Sequence, residues 1–172
     1  YAEAYYDLYH TIKGADASAQ VAIGGVVQPT PLRLEYLDKV LAEYQSRYGS
    51  MMPVDVWNIH NMILPEVIYQ PGADIPPGSD AYMGRRYTES DAHDVDVFSQ
   101  HVREFRQWMR NKGEQDKPLI ISEYSVLYDF PYSTVKNYLY DTFDYMTSAT
   151  SGALGYPDDG YRMVQRWAWY SL

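Results

Sequence analysis

The stretch PLIISEYSVL, residues 118–127, joins an apolar run to a carboxylate. Residues 119–121 are typical of a buried strand, and Glu123 follows almost immediately, between Ser122 and Tyr124. A carboxylate beside a buried strand is unfavourable unless a partner or a function requires it there. We therefore expect the stretch to be a core strand that carries Glu123 to a functional position at its C-terminal end.

Three other short β-rich runs accompany this one, at residues 20–27, 53–60 and 163–172. Amphipathic segments precede and separate the four runs, with apolar residues recurring every three or four positions, which is the period of a helix. The stripes are Tyr5, Leu8, Tyr9 and Ile12; Leu34, Leu37, Leu41, Tyr44 and Tyr48; Val95, Phe98, Val102, Phe105 and Met109; and Val135, Tyr138, Leu139, Thr142 and Met146. Strands that alternate with helices predict right-handed crossovers and a parallel sheet.

The order α-β-α-β-α-β-α-β opens on a helix and closes on a strand. A complete (β/α)₈ barrel, or TIM barrel, takes about 250 residues, whereas this chain has 172. We therefore expect an α/β fold consisting of the C-terminal half of such a barrel, with four parallel strands, and residues 1–172 forming one partial catalytic domain. The proline-rich segment 61–91 is expected to be a long loop on the active-site side, since loops of that length are often functional.

Charge and composition exclude several classes of function. The chain has 14 Lys and Arg against 23 Asp and Glu, a formal net charge of −9. Nucleic-acid binding normally needs a basic face, and anionic membranes are disfavoured for the same reason, so we expect neither partner. Cysteine is absent, and His93 and His101 lack further ligands, so we expect no metal and no cofactor. Localisation stays open, because both secreted and cytoplasmic proteins can lack cysteine.

Polar and aromatic side chains occur where the predicted strands end. Asn58 and His60 end the second strand, Glu123 ends the third, and Trp167 and Trp169 lie in the fourth. In parallel α/β folds, functional groups gather at the carboxyl ends of strands. Strict alternation places Glu123 on the face of residues 119 and 121. We expect it to meet His60 if both faces point inward.

The series VAIGG, VDVWNIH, PLIISEYSVL and RWAWYSL resembles the last four strands of a clan A glycoside hydrolase. The triplet Ser122-Glu123-Tyr124 is similar to the motif that carries the clan's nucleophilic glutamate. The resemblance implies a retaining glycosidase acting on an oligo- or polysaccharide. It further implies that His60, Asn58 and Tyr124 lie at the substrate and that Trp167 or Trp169 forms an aromatic platform. A retaining enzyme needs two carboxyl groups, and the clan's acid/base glutamate has no match here. The resemblance therefore makes the missing N-terminal half of the barrel a partner of this chain, which we expect to be inactive alone.

Other interpretations of the same residues stay open. Glu123 can be a capping or salt-bridging carboxylate, His60 a packed histidine, and either tryptophan can pack against a helix. The chain can also be a carbohydrate-binding barrel remnant without catalysis. A lyase or aldolase barrel is the third alternative. Such enzymes often need a Schiff-base lysine, but the five lysines fall in predicted helices or at their termini.

Overall fold

The computed structural model describes residues 1–170 as four helices packed beside one short sheet. The helices are α1 (Ala2–Ala15), α2 (Pro31–Tyr48), α3 (Val95–Asn111) and α4 (Tyr132–Ser148), and the strands are β1 (Trp57–His60), β2 (Leu119–Tyr124) and β3 (Arg166–Trp169). Short 3₁₀ helices lie at Glu89–His93 and Pro157–Asp159. The last run was predicted over 163–172, and its residues 171 and 172 lie outside the described ones. Within residues 1–170, no helix is both long and apolar enough to cross a membrane.

The prediction of four parallel strands in a half-barrel is wrong. The described sheet has three strands in the order β1-β2-β3, and both pairings are parallel, so the molecule is a small α/β domain. The run 20–27 forms only isolated bridges, from Ala22 to Val56 and from Val26 to Ile59. Gly24 and Gly25 lie between the two bridges, and the N–H of Gly24 donates to the hydroxyl of Tyr1 instead of to the ladder. This interruption explains why the run does not become a continuous strand.

One face of the sheet packs against the helices and forms the core. Trp57 of β1 contacts Phe105 and Trp108 of α3 edge-on, with ring centroids 6.1 and 4.9 Å apart. Leu119 and Ile121 of β2 are fully buried in the same core. Burying a side chain of this size contributes roughly 1.5–3 kcal/mol. The alternate residues of the strands, which include Asn58 and His60 on β1, lie on the opposite face.

The long segment 61–91 is held against α2 by a buried carboxylate. Glu66 has no exposed surface, and it pairs with the guanidinium of Arg33. It also accepts hydrogen bonds from the hydroxyl of Thr30 at 2.6 Å and from the N–H of Arg85 at 2.9 Å. Thr30 is the N-cap residue of α2, and its side chain makes no capping bond to that helix. The hydroxyl instead fixes the loop, which sequence analysis did not predict.

A second buried cation ties α3 to the segments that precede β2 and β3. The guanidinium of Arg106 is fully buried and donates to the carbonyls of Met163 at 2.8 Å and Lys117 at 2.9 Å, and to Oε1 of Gln165 at 2.5 Å. Burial lowers the pKa of Arg106 to about 10. Because carbonyl and amide oxygens satisfy the charge, this side chain holds three separate pieces of chain together.

We predict that Arg106→Met destabilises the protein, because three buried acceptors lose their donor. The free energy of unfolding should fall by about 2–4 kcal/mol, measured by urea denaturation. Arg110→Met, at an exposed position of the same helix, is the matched control and should change it by less than about 0.5 kcal/mol. Equal effects of the two substitutions would contradict the role given to Arg106.

Candidate functional site

His60 and Glu123 come together at the carboxyl ends of β1 and β2. The two residues are paired in the parallel register, and His60 Nδ1 lies 3.7 Å from Glu123 Oε2. Their side chains are 26% and 41% exposed, so both are accessible from solvent. Functional side chains of parallel sheets gather at this end, and a carboxylate beside an imidazole suits nucleophilic or acid–base chemistry.

An irregularity in β2 creates this pairing. Ile59 is in register with Ile121 and the next residue, His60, with Glu123, so β2 contributes one more residue than β1 over the same span. The same irregularity occurs against β3, between Ile121 and Tyr124. Such a bulge redirects the side chains that follow it. Strict alternation places Glu123 on the helix-facing side with Ile121, whereas in the structure Glu123 lies beside His60 and Tyr124 takes the buried side.

Asn58 satisfies the backbone at this bulge. The residue inserted by a bulge loses its ladder partner, and here the N–H of Ser122 donates to Oδ1 of Asn58 at 3.2 Å. The Asn58 side chain is on the same strand as His60, two residues earlier. It is nearly buried, so its amide is well placed to replace a backbone carbonyl.

Gly25 leaves the space that the His60 ring occupies. A Cβ atom at Gly25 would lie 2.5 Å from Cδ2 and 2.8 Å from Nε2 of His60, and real Cβ atoms do not approach other atoms so closely. It would also lie 3.2 Å from Nδ2 of Asn58. The glycine therefore allows the chain before α2 to pass directly over the imidazole.

The predicted aromatic contacts do not share a face with Glu123. Trp167 lies edge-on to Phe143 of α4 at 5.6 Å between centroids, and Trp169 lies 5.1 Å from Tyr124. Tyr124 is fully buried and accepts a hydrogen bond from the hydroxyl of Thr142 at 3.5 Å. All three rings lie on the helix side of the sheet, whereas His60, Asn58 and Glu123 are together at its other side.

A buried hydrogen-bond chain behind the site escaped sequence analysis. Asn61, next to His60, donates from its backbone N–H to the carbonyl of Glu123 at 2.9 Å and from Nδ2 to the carbonyl of Phe98 at 3.1 Å. Oδ1 of Asn61 lies 2.8 Å from Nδ1 of His101, and Nε2 of His101 lies 2.8 Å from the Tyr87 hydroxyl. The only sequence signals were a polar residue after a strand and a histidine on the buried side of α3.

The partners of His101 determine its tautomer. Asn61 uses its amide nitrogen as a donor, so Oδ1 must accept, and Nδ1 of His101 must carry the proton. Nε2 is then an acceptor, and the Tyr87 hydroxyl donates to it. Burial lowers the pKa of His101 to about 3, and Arg85 acts in the same direction. Burial likewise raises the pKa of Tyr87 to about 12. Both groups are therefore neutral over the physiological range.

The site contains no arrangement suited to a metal. Across residues 1–170, no group of three or more His, Asp or Glu side chains is positioned to hold an ion. His93 and His101 have separate partners: His93 packs edge-on to Phe130 at 4.7 Å, and His101 belongs to the hydrogen-bond chain described above.

Comparison with known proteins gives a distant likeness among solved structures. No protein-family model and no curated protein matches the chain. Among solved structures, it is similar to a monomeric beta-xylosidase from Caulobacter crescentus CB15, with a TM-score of 0.48 and 18% sequence identity. The likeness covers 98% of this chain and 29% of that chain. The chain thus spans less than a third of that enzyme's length, and neither a family nor a clan follows from it.

We predict that Asn58→Ala leaves the Ser122 N–H without an acceptor. A buried donor without a partner costs about 1–3 kcal/mol of unfolding free energy. The specific readout is amide hydrogen exchange, which should accelerate at Ser122 more than at Ile120 in the same strand. The control is Asn137→Ala on the exposed surface of α4. Unchanged exchange at Ser122 would contradict the role assigned to Asn58.

We predict that His101 makes stability depend on pH. Its pKa is lowered to about 3 in the folded protein, against about 6.5 when unfolded, so the unfolded chain binds more protons between these values. The contribution of neutral His101 is complete above about pH 6.5 and is lost as the pH falls towards 3. The difference in unfolding free energy between pH 7 and pH 4 should therefore be smaller in His101→Gln. The exposed His10→Gln should keep the wild-type difference, and identical slopes in all three proteins would contradict the prediction.

Proposed function

We propose that this chain carries the nucleophile of a retaining glycoside hydrolase and that Glu123 is that nucleophile. The observation that supports the proposal is the bulge in β2, which sets an accessible carboxylate beside His60 at the functional end of a parallel sheet. The triplet Ser122-Glu123-Tyr124 is the sequence feature that agrees with it. The substrate class is an oligo- or polysaccharide with O-glycosidic bonds, and the enzyme class is that of clan A.

In the proposed reaction, a carboxylate oxygen of Glu123 attacks the anomeric carbon and the bond to the leaving oxygen breaks. A second carboxyl group protonates that oxygen, and water then hydrolyses the glycosyl ester, so the anomeric configuration is retained. The two carboxyl groups must lie about 5–5.5 Å apart. The site formed by Asn58, His60 and Glu123 contains one. We propose that a complementary polypeptide segment supplies the acid/base group and that the chain without it does not turn over substrate.

His60 is proposed to orient the nucleophile. Its Nδ1 lies too far from Glu123 Oε2, at 3.7 Å, for a direct hydrogen bond. The imidazole nevertheless places a polar group beside the carboxylate, and Gly25 leaves the space that the ring occupies. An imidazole at this distance can act through a bridging water or a substrate hydroxyl.

A non-catalytic carbohydrate-binding protein is the second candidate. The presence of a single carboxylate in the site favours it, because one acid suffices to hydrogen-bond a sugar but not to complete retaining hydrolysis. The two candidates differ in whether Glu123 forms a covalent bond.

We predict that a 2-deoxy-2-fluoro glycoside with an activated leaving group labels Glu123 covalently. The fluorine slows both steps, while the good leaving group makes formation of the glycosyl ester faster than its hydrolysis and independent of the acid. The experiment uses the protein in its full-length native form with a panel of gluco-, xylo- and manno-configured reagents. Mass spectrometry of peptides should place the added sugar on Glu123, and Glu123→Gln should abolish both labelling and hydrolysis.

Asp129→Asn, an exposed acid beyond the same strand, is the matched control and should label normally. A sugar attached to another residue, or hydrolysis with inverted configuration, overturns the assignment of Glu123. Saturable sugar binding with neither labelling nor hydrolysis supports the binding protein instead.

A further inference from the structure

A cavity of about 520 Å³ lies between the loop that follows β1 and the loop that follows β2. Ligand pockets in proteins measure about 300–1,000 Å³, so the volume is sufficient for a small molecule or part of a polymer. Both loops leave the carboxyl ends of their strands, which is also the end that carries His60 and Glu123. The residues that line it include Gln70, Tyr82, Arg86, Tyr87, Glu89 and Tyr128.

The lining combines flat rings with polar groups that have no protein partner. Tyr82, Tyr87 and Tyr128 supply amphipathic rings, which can stack on the C–H faces of a sugar. The hydroxyls of Tyr82 and Tyr128 remain available for hydrogen bonds, whereas that of Tyr87 is bonded to His101. Within residues 1–170, the side chains of Gln70, Arg86 and Glu89 make neither a hydrogen bond nor an ion pair to the protein. Together they offer both hydrogen-bond donors and hydrogen-bond acceptors, and a ligand rich in hydroxyl groups can use both.

The charges of the lining favour a neutral ligand. Arg86 and Glu89 contribute opposite charges to the same cavity, so an anion that approaches Arg86 also approaches Glu89. The chain as a whole carries a formal charge of −9, which adds to the repulsion of anionic polymers. A phosphate or uronate is therefore disfavoured relative to a neutral sugar.

Internal hydrogen bonds hold two parts of the cavity wall. The Tyr87 hydroxyl donates to buried His101, so the phenol ring cannot turn without breaking that bond. Glu66, which is fully buried, holds the main chain at Arg85 by accepting its N–H at 2.9 Å. Wall segments that are already held in place lose less conformational entropy on binding, which suits ligands that bind through weak contacts.

We propose that this cavity is a subsite for a neutral oligosaccharide, at the same end of the sheet as Glu123 and separate from it. The inference rests on the proposed function for its substrate class and extends it to one further contact region. Tyr82 is the stacking platform, and Arg86 and Glu89 hydrogen-bond the sugar hydroxyls. Hydrogen bonds run from Tyr87 through His101 and Asn61 to the carbonyl of Glu123. They connect the wall of the subsite to the strand that carries the proposed nucleophile.

The test measures binding instead of turnover, in the full-length protein carrying Glu123→Gln. The probes are hexasaccharides of β-1,4-linked glucose, xylose and mannose, with hexagalacturonate as the anionic comparison. Their binding is measured by titration calorimetry. We expect at least one neutral hexasaccharide to bind. Tyr82→Ala and Arg86→Gln should each weaken that binding about fivefold to tenfold, and backbone amide shifts on binding should cluster at residues 65–89 and 128.

The matched controls are Tyr140→Ala and Arg110→Gln, since both residues are exposed on helices away from the cavity and should leave affinity unchanged. The subsite is excluded if no neutral hexasaccharide binds, if hexagalacturonate binds more tightly, or if the control variants weaken binding as much as the cavity variants. Binding at the cavity without covalent labelling of Glu123 would overturn the proposed hydrolysis alone. Labelling without cavity-dependent binding would overturn the subsite alone.

Discussion

The hydrogen bond from the Ser122 N–H to Oδ1 of Asn58 is the constraint on which the arrangement of the site depends. Without a bulge, alternation in β2 would place Glu123 among the fully buried residues Leu119 and Ile121, where a carboxylate is costly. With the bulge, one residue is inserted and the carboxylate lies at the accessible side. A bulge leaves an amide unpaired, so the change of direction is stable only because a neighbouring strand offers a side-chain acceptor at that point.

The same principle holds elsewhere in the molecule, where buried polar side chains replace missing secondary structure. The chain after β1 is paired with itself by an isolated antiparallel bridge between Val67 and Met83. Glu66 adds further contacts by bonding to Arg33, Thr30 and the main chain of Arg85. Arg106 does the same for the segments that precede β2 and β3. The sheet formed by residues 1–170 has three short strands, so these buried side chains contribute much to holding the loops in place. The loops in turn provide the walls of both candidate binding regions.

Sequence periodicity predicted what depends on local pattern. The helix expected from Val95 to Met109 is α3, at Val95–Asn111, and the strands around Trp57 and Ile121 exist where they were expected. It failed at 20–27, where Gly24 and Gly25 interrupt the ladder, because hydrophobic alternation does not report whether a glycine pair continues or breaks a strand. It left the orientation of Trp167 and Trp169 open, because their side of the sheet follows from the register with Ile121 and Tyr124, which is a tertiary property. His60 and Glu123 were expected to meet, and they do lie together. They do so because of the bulge in β2, which the two-residue alternation of a strand cannot predict.

His60 at the end of β1 and His101 in α3 have different roles: His60 belongs to the candidate site, and His101 supports it from behind. His101 has both ring nitrogens committed to fixed partners, Asn61 and Tyr87, and is almost completely buried. Exchanging a proton there would break the chain that positions the carbonyl of Glu123, so His101 is suited to holding structure and unsuited to chemistry. His60 is partly exposed, and its Nδ1 lies near a carboxylate without a committed hydrogen bond. An imidazole that lies in the space left by Gly25 and whose ring nitrogens are not both hydrogen-bonded keeps donor and acceptor capacity for a ligand. Because the ring nitrogens of His60 are not occupied by such fixed partners, His60 and Glu123 are the pair on which the proposed chemistry depends.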